Sequence, residues 1–180
     1  MPDYDLTPEQ EEMRRSVREF AEQVIKPKAI ELDEKEQFSV EVTRKMGELG
    51  LFGVVVGEEY GGAGLDYLCY VIAVEEVARV DGSHAATVAA GNSLGISPIY
   101  YFGSEQQKKQ YLPDLCAGKA LASFGLTEPD AGSDAGGTKT SAKLDGGSWV
   151  INGSKIFITN STNPMAKVCT VQAVTGKRQD

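Results

Sequence analysis

Apolar residues recur three and four positions apart through the first two thirds of the chain, and the pattern changes after Gly118. Met13, Val17, Phe20, Ala21, Val24 and Ile25 make one helical stripe. Thr7-Pro-Glu-Gln10 predicts its start: Thr7 accepts from a free backbone N–H, Pro8 suits the first turn, and Gln10 reaches back. Pro27 is expected to kink or restart this helix, and the charged run Glu31 to Glu36 to be a solvated face. Ser39 predicts the cap of a second helix and Gly50 its end. Leu51 to Val56 is a short apolar run, followed by the loop Gly57-Glu-Glu-Tyr-Gly-Gly-Ala-Gly64. Leu65 to Val80 reads as a third helix with Leu68, Val71, Ile72 and Ala78 on its apolar side. Its Glu75 and Glu76, three to four residues before Arg79, are expected to form surface ion pairs. Ala85 to Tyr101 predicts two buried helices broken near Ser97-Pro98. Ser104-Glu-Gln-Gln107 repeats the capping box and opens a helix that Gly118 closes, with Lys108 and Lys109 solvated.

Beyond Gly118, glycine, threonine and alternating apolar residues replace the helical period. Strands are predicted over 121–127, 138–144, 148–151, 155–159 and 168–174. Pro129 ends the first, and Asn152-Gly153 between two apolar runs predicts a hairpin turn. The fold class is α+β: an all-α N-terminal domain over residues 1–118, then over 119–180 the first strands of an antiparallel β-barrel or sandwich, left incomplete. Gly176-Lys-Arg-Gln-Asp180 reads as a polar turn toward another strand, so the sheet would carry an unpaired edge.

Composition narrows the function. At 41% hydrophobic and 24% charged, the 180 residues can bury a core. A net charge of −8 argues against nucleic acid but leaves room for a small anionic ligand held by a few local cations. Three distant cysteines, Cys69, Cys116 and Cys169, point to reduced thiols and a cytoplasmic setting. The single histidine, His84, excludes a His-rich zinc site and reads as a helix-start or packing residue. Met1-Pro2-Asp3 starts acidic, with no signal peptide. Gly82 to Ser104 has no charged side chain, but Asn92, Ser93, Ser97 and Pro98 argue for buried helices over a membrane span. The glycines of 57–64 do not form G-x-G-x-x-G and read as a structural loop. Asp130, Ser133 and Asp134 fail as an EF-hand, because Ala135 stands where glycine is required and Ser141 where the bidentate glutamate is required. No metal site is expected.

Two stretches carry the chemistry: Phe124-Gly-Leu-Thr-Glu-Pro-Asp-Ala-Gly-Ser-Asp134 and Trp149-Val-Ile-Asn-Gly-Ser-Lys-Ile-Phe-Ile-Thr-Asn160. Together they resemble the acyl-CoA dehydrogenase family, whose motifs run aromatic-x-x-Thr-Glu-Pro-x-x-Gly-Ser-Asp and Asn-Gly-x-Lys-x-aromatic-Ile-Thr-Asn. The likeness covers the whole chain and corresponds to the N-terminal half of the family's enzymes. Position 157 is often Trp in the family, and position 130 often Gly or Asn.

The resemblance implies FAD-dependent α,β-dehydrogenation of an acyl-CoA thioester. A carboxylate removes the α proton while the β hydrogen leaves as hydride to flavin N5. Phe124, Leu126, Thr127, Phe157, Ile158 and Thr159 occupy the family's FAD-contacting positions, and Ser133 the position that contacts acyl-CoA. Leu126 and Thr127 would serve the pyrimidine edge, Phe157 the ring face, and Thr159 the N5 atom. The catalytic base of the family is a glutamate of its C-terminal helical domain, beyond residue 180. No catalytic residue is therefore assigned here, Glu128 belongs to the turn motif, and the 180 residues alone are expected to be inactive. The wording Phe-Gly-Leu-Thr-Glu-Pro and Gly-Ser-Asp-Ala-Gly-Gly-Thr is similar to bacterial short-chain, butyryl-CoA-type members. An electron-transferring flavoprotein as acceptor and a homotetramer follow from the same resemblance. Competing readings are an acyl-CoA oxidase or flavin monooxygenase on this scaffold, and a non-catalytic helical module binding CoA or a partner protein.

Overall fold

The computed structural model describes residues 5–176; Met1-Pro2-Asp3 and all but the first residue of the turn at 176–180 lie outside them. Helix α1 (Pro8–Phe20) begins at Thr7. The Thr7 hydroxyl accepts from the Gln10 N–H at 3.2 Å, and Gln10 Oε1 accepts from the Thr7 N–H at 3.0 Å. The chain continues through a π-helical segment (Ala21–Ile25) into α2 (Lys26–Glu34). In that wide turn the Lys26 N–H bonds the Ala21 carbonyl, five residues back. This makes room for the ring of Pro27, so the helix neither stops nor restarts there. Helix α3 (Val40–Glu48) is capped by Ser39.

Asp66 caps α4 (Tyr67–Ala78), and Asp81 caps α5 (Gly82–Ala90). His84, 8% exposed, sits in the first turn of α5, its backbone N–H 2.8 Å from the Asp81 carboxylate and its ring Nδ1 on the same oxygen. A second π segment (Gly91–Ile96) leads without interruption into α6 (Ser97–Phe102). The expected break at Ser97-Pro98 is absorbed as at Pro27: the Ser97 N–H bonds the Asn92 carbonyl. Helix α7 (Glu105–Cys116) has the Ser104–Gln107 capping box, and Gly118 (φ +62°) follows it. Among the described residues no helix is long and apolar enough to cross a membrane.

Glu76 corrects the surface ion-pair reading. It is 2% exposed and joins α4 to α1, taking Arg18 Nε at 2.9 Å, Arg18 Nη2 at 2.7 Å and Arg79 Nη1 at 2.9 Å. The Arg18 guanidinium, and after it Arg79, holds the Glu76 carboxyl below its ordinary range. The apolar run after α3 is not a strand; Leu51, Phe52, Val54 and Val56 fold as core turns. Asn92 pins them. Its Oδ1 accepts from the Val54 N–H at 3.1 Å, and its Nδ2 donates to the Leu51 and Val88 carbonyls at 2.8 and 2.9 Å.

The remaining elements are β1 (Leu121–Gly125), β2 (Ser141–Asp145), β3 (Ser148–Asn152) and β4 (Ala166–Val171). The architecture is α+β, helices first and strands after. The antiparallel expectation holds for β2 and β3, which pair from Ser141↔Asn152 to Asp145↔Ser148; β1 and β4 instead run parallel, with Phe124 opposite Thr170. One buried cluster spans both parts, from Val17, Met46, Phe52 and Val77 through Ile96 and Leu115 to Leu121, Ala122 and Met165.

Two strand-level expectations are corrected. The hairpin turn lies at Gly146-Gly147 (φ +54° and +86°), not at Asn152-Gly153, because two consecutive positive φ values are what a tight hairpin of this hand demands. Gly153 serves close approach instead: a Cβ there would stand 2.2 Å from Thr140 Oγ1. Residues 155–159 form no strand, since Phe157 and Asn160 adopt left-handed conformations (φ +57° and +67°) that break extension.

Candidate functional site

The two motif stretches meet at the end of β1. Pro129 and Asp130 fill a tight turn closed by Glu128 N–H to Ala131 carbonyl at 2.9 Å and its reciprocal at 3.2 Å. The Glu128 side chain turns inward, 5% exposed. It accepts from the Lys139 N–H at 2.7 Å, the Thr140 N–H at 2.9 Å and Lys155 Nζ at 2.8 Å. Lys155, foremost, with Thr140 and the Lys139 N–H, holds the Glu128 carboxyl at about 2. Such a carboxylate is permanently charged near neutrality and has no proton to exchange, which supports leaving Glu128 out of acid–base roles.

Lys155 Nζ also donates to the Leu126 carbonyl at 2.8 Å, and the Ile156 N–H bonds the Thr127 carbonyl at 2.9 Å. These bonds lay the 153–157 segment along 126–128. Gln172 closes the other side, its N–H on the Gly125 carbonyl at 3.0 Å and its Nε2 on the Ala135 carbonyl at 2.9 Å. Among the described residues the Thr127 N–H and hydroxyl have no partner.

The expected site residues fall into four groups. Leu126, Thr127 and Phe157 are brought together by the Lys155 and Ile156 bonds. Phe157 is displayed rather than packed: 88% exposed, in a left-handed conformation that disfavours a bulky side chain. Phe124 lines an apolar pocket of about 500 Å³ with Leu94, Ser97, Pro98, Tyr101, Phe102 and Thr170. Thr159 lines a different cavity, of about 440 Å³, with Phe38, Ala86, Thr87 and Asn160. The Asn160 Nδ2 is buried without a partner among the described residues. Ile158 is half-buried beside Thr159, and its carbonyl accepts from Ser161 Oγ at 2.7 Å. Ser133 is exposed in the turn before the 3₁₀ turn Ala135–Gly137. Asp130 is paired with Lys139 at 2.8 Å.

Lys155, Thr140 and Gln172 are the residues that sequence reasoning missed. The only local hint was Lys155 standing as the one cation in the apolar run of the second stretch, which says nothing of its partners in the first.

The model of the acyl-CoA dehydrogenase N-terminal domain matches residues 7–119, and that of the acyl-CoA dehydrogenase middle domain matches 123–180. A short-chain-specific acyl-CoA dehydrogenase of Clostridium acetobutylicum is 51% identical over 158 residues, covering 88% of this chain and 42% of that protein. Butyryl-CoA dehydrogenase from Megasphaera elsdenii superposes with a TM-score of 0.90 at 40% identity, over 98% of this chain and 46% of that one. An acyl-CoA dehydrogenase complexed with FAD from Bacillus anthracis gives 0.88 at 41% identity, over 96% and 30% of the two chains. The chain spans less than half the length of the curated relatives it matches, 46% and 42% of two of them.

Proposed function

This chain belongs to the acyl-CoA dehydrogenase family, and from that premise we propose that the complete protein is an FAD-dependent dehydrogenase of short-chain acyl-CoA thioesters. The carrying observation is the meeting of the two motif stretches through the Ile156–Thr127 bond, which leaves the Thr127 N–H and hydroxyl open beside a displayed Phe157. A flavin is a flat, mostly apolar ring with a polar rim, and it asks for unfilled donors next to an aromatic face. The residues here fit that demand.

On this reading Leu126 and Thr127 hold the pyrimidine rim, Phe157 covers a face of the ring, and Thr159 supplies a hydroxyl donor. Phe124 and Ile158 complete the apolar contacts, and Ser133 meets the acyl-CoA. Bound FAD would supply the two-electron acceptor for the β hydrogen of the thioester. The base that takes the α proton belongs to a helical part beyond residue 180. Residues 1–118 form the helical domain, and 119–180 open a β-barrel domain, with β1 and β4 parallel and β2 and β3 antiparallel, that later strands complete. The protein works in the cytoplasm as a homotetramer and passes electrons to an electron-transferring flavoprotein.

The test is anaerobic addition of butyryl-CoA, then longer acyl-CoAs, to the complete protein loaded with FAD. Bleaching of the flavin absorbance that is fastest with the short thioester is the expected result. A protein that takes up no FAD, or whose flavin no acyl-CoA bleaches, refutes the proposal.

A further inference from the structure

Resting on the FAD reading above, we propose that Lys155 and Glu128 form a buried charge pair that sets the redox potential of the cofactor through one peptide group, the amide joining Leu126 to Thr127. The ammonium of Lys155 stands 2.8 Å from the Leu126 carbonyl oxygen and 2.8 Å from Glu128 Oε1. Its side chain is 11% exposed and that of Glu128 5%, so water screens little of the field. A cation on a carbonyl draws the electrons of that amide toward oxygen, and the N–H at its other end becomes a stronger donor. That N–H belongs to Thr127, and among the described residues it has no partner. On the FAD reading it meets the pyrimidine rim, where negative charge accumulates on reduction.

Glu128 works in the opposite sense. Its carboxylate restrains the ammonium, but it also takes the Lys139 and Thr140 N–H groups at 2.7 and 2.9 Å, so its charge is shared among three donors. Neither residue touches substrate on this view; both are positioning residues that act through a backbone amide. A mere tie between 126–128 and 155–156 would use the same bonds, so the test must separate charge from rigidity.

The separation comes from sign. In the complete protein loaded with FAD, Lys155→Met leaves Glu128 uncompensated and lowers the two-electron midpoint potential. Glu128→Gln leaves the ammonium uncompensated and raises it. Each shift corresponds to about three- to tenfold in the ratio of affinities for the oxidised and reduced cofactor, ~15–30 mV. Lys155→Arg keeps the cation and stays near the parent value. Spectroelectrochemical titration reads all three. A tie alone would loosen in both variants and move both potentials the same way, or neither, and that outcome overturns the proposal. Should Lys155→Met not fold, Glu128→Gln decides alone: an unchanged or lowered potential overturns it. A parent protein that takes up no FAD sinks the underlying reading, whereas FAD bound normally with unmoved potentials sinks the charge pair only.

Discussion

Replacing Asn92 by leucine should cost more than any exposed substitution in the molecule, and the cost can be worked from its bonds. Asn92 is 4% exposed and makes three hydrogen bonds. Leucine is similar in size, so the change is chiefly the loss of those bonds. The Val88 carbonyl keeps a partner in the Gly91 N–H. The Val54 N–H and the Leu51 carbonyl do not, and both residues are fully buried. Each stranded polar group costs ~1–3 kcal/mol, and the added apolar side chain returns about 1 kcal/mol, giving a net loss of about 3 kcal/mol. For a chain of this size that lowers Tm by about 6–12 °C. Urea unfolding followed by far-UV circular dichroism, with a parallel thermal scan, measures both. Asn92→Asp should be at least as damaging, because it keeps the acceptor for Val54 but turns a charge toward two carbonyls. A leucine variant within ~0.5 kcal/mol of the parent, the range of ordinary surface changes, would refute the reasoning.

Three further outcomes are expected. The Glu128 carboxyl is held at about 2 against an ordinary 4.5, so its stabilisation is complete above the unfolded value and is lost as pH falls toward 2. The stability gap between the parent and Glu128→Gln should therefore be widest above pH ~4.5 and narrow steadily toward pH ~2; denaturation midpoints that show a constant gap would contradict this. Gly153→Ala puts a methyl 2.2 Å from Thr140 Oγ1, so β2 and the segment after β3 must part, at a cost of ~1–3 kcal/mol read by chemical denaturation; an unchanged midpoint would show that the approach is not tight. Phe157→Ala should leave stability within ~0.5 kcal/mol, since the ring is 88% exposed, while weakening FAD binding in a fluorescence titration; a large stability loss with unchanged FAD binding would reverse the assignment.

Local signals were the legible part of the fold. Thr7, Ser39 and Ser104 cap where a hydroxyl ahead of an apolar stripe says they should, and Gly118 ends α7 in the conformation glycine permits. What escaped was set by distant partners. Glu76 has the look of a solvated helix residue until α1 brings Arg18 against it. The parallel pairing of β1 with β4 joins segments separated by the whole hairpin, and no local pattern encodes its direction. Asn152-Gly153 carries the right residues for a turn, but Gly146-Gly147 stands at the point where the β2 and β3 side chains come into register. At the site, both motif stretches could be read as units. Their junction through Lys155 could not, because it depends on a carboxylate and a carbonyl far back in the chain.

The π turn at Gly91–Ile96 holds one surplus residue in an otherwise unbroken rod of α5 and α6. Removing a single residue there would restore ordinary winding and swing everything downstream by about 100° around the axis. Tyr101 and Phe102 would leave the wall they share with Phe124, and Pro98 would be driven against a carbonyl with no slack to receive it. The apolar pocket is thus a matter of helical phase, and a deletion at this point would erase it while sparing nearly every residue that lines it.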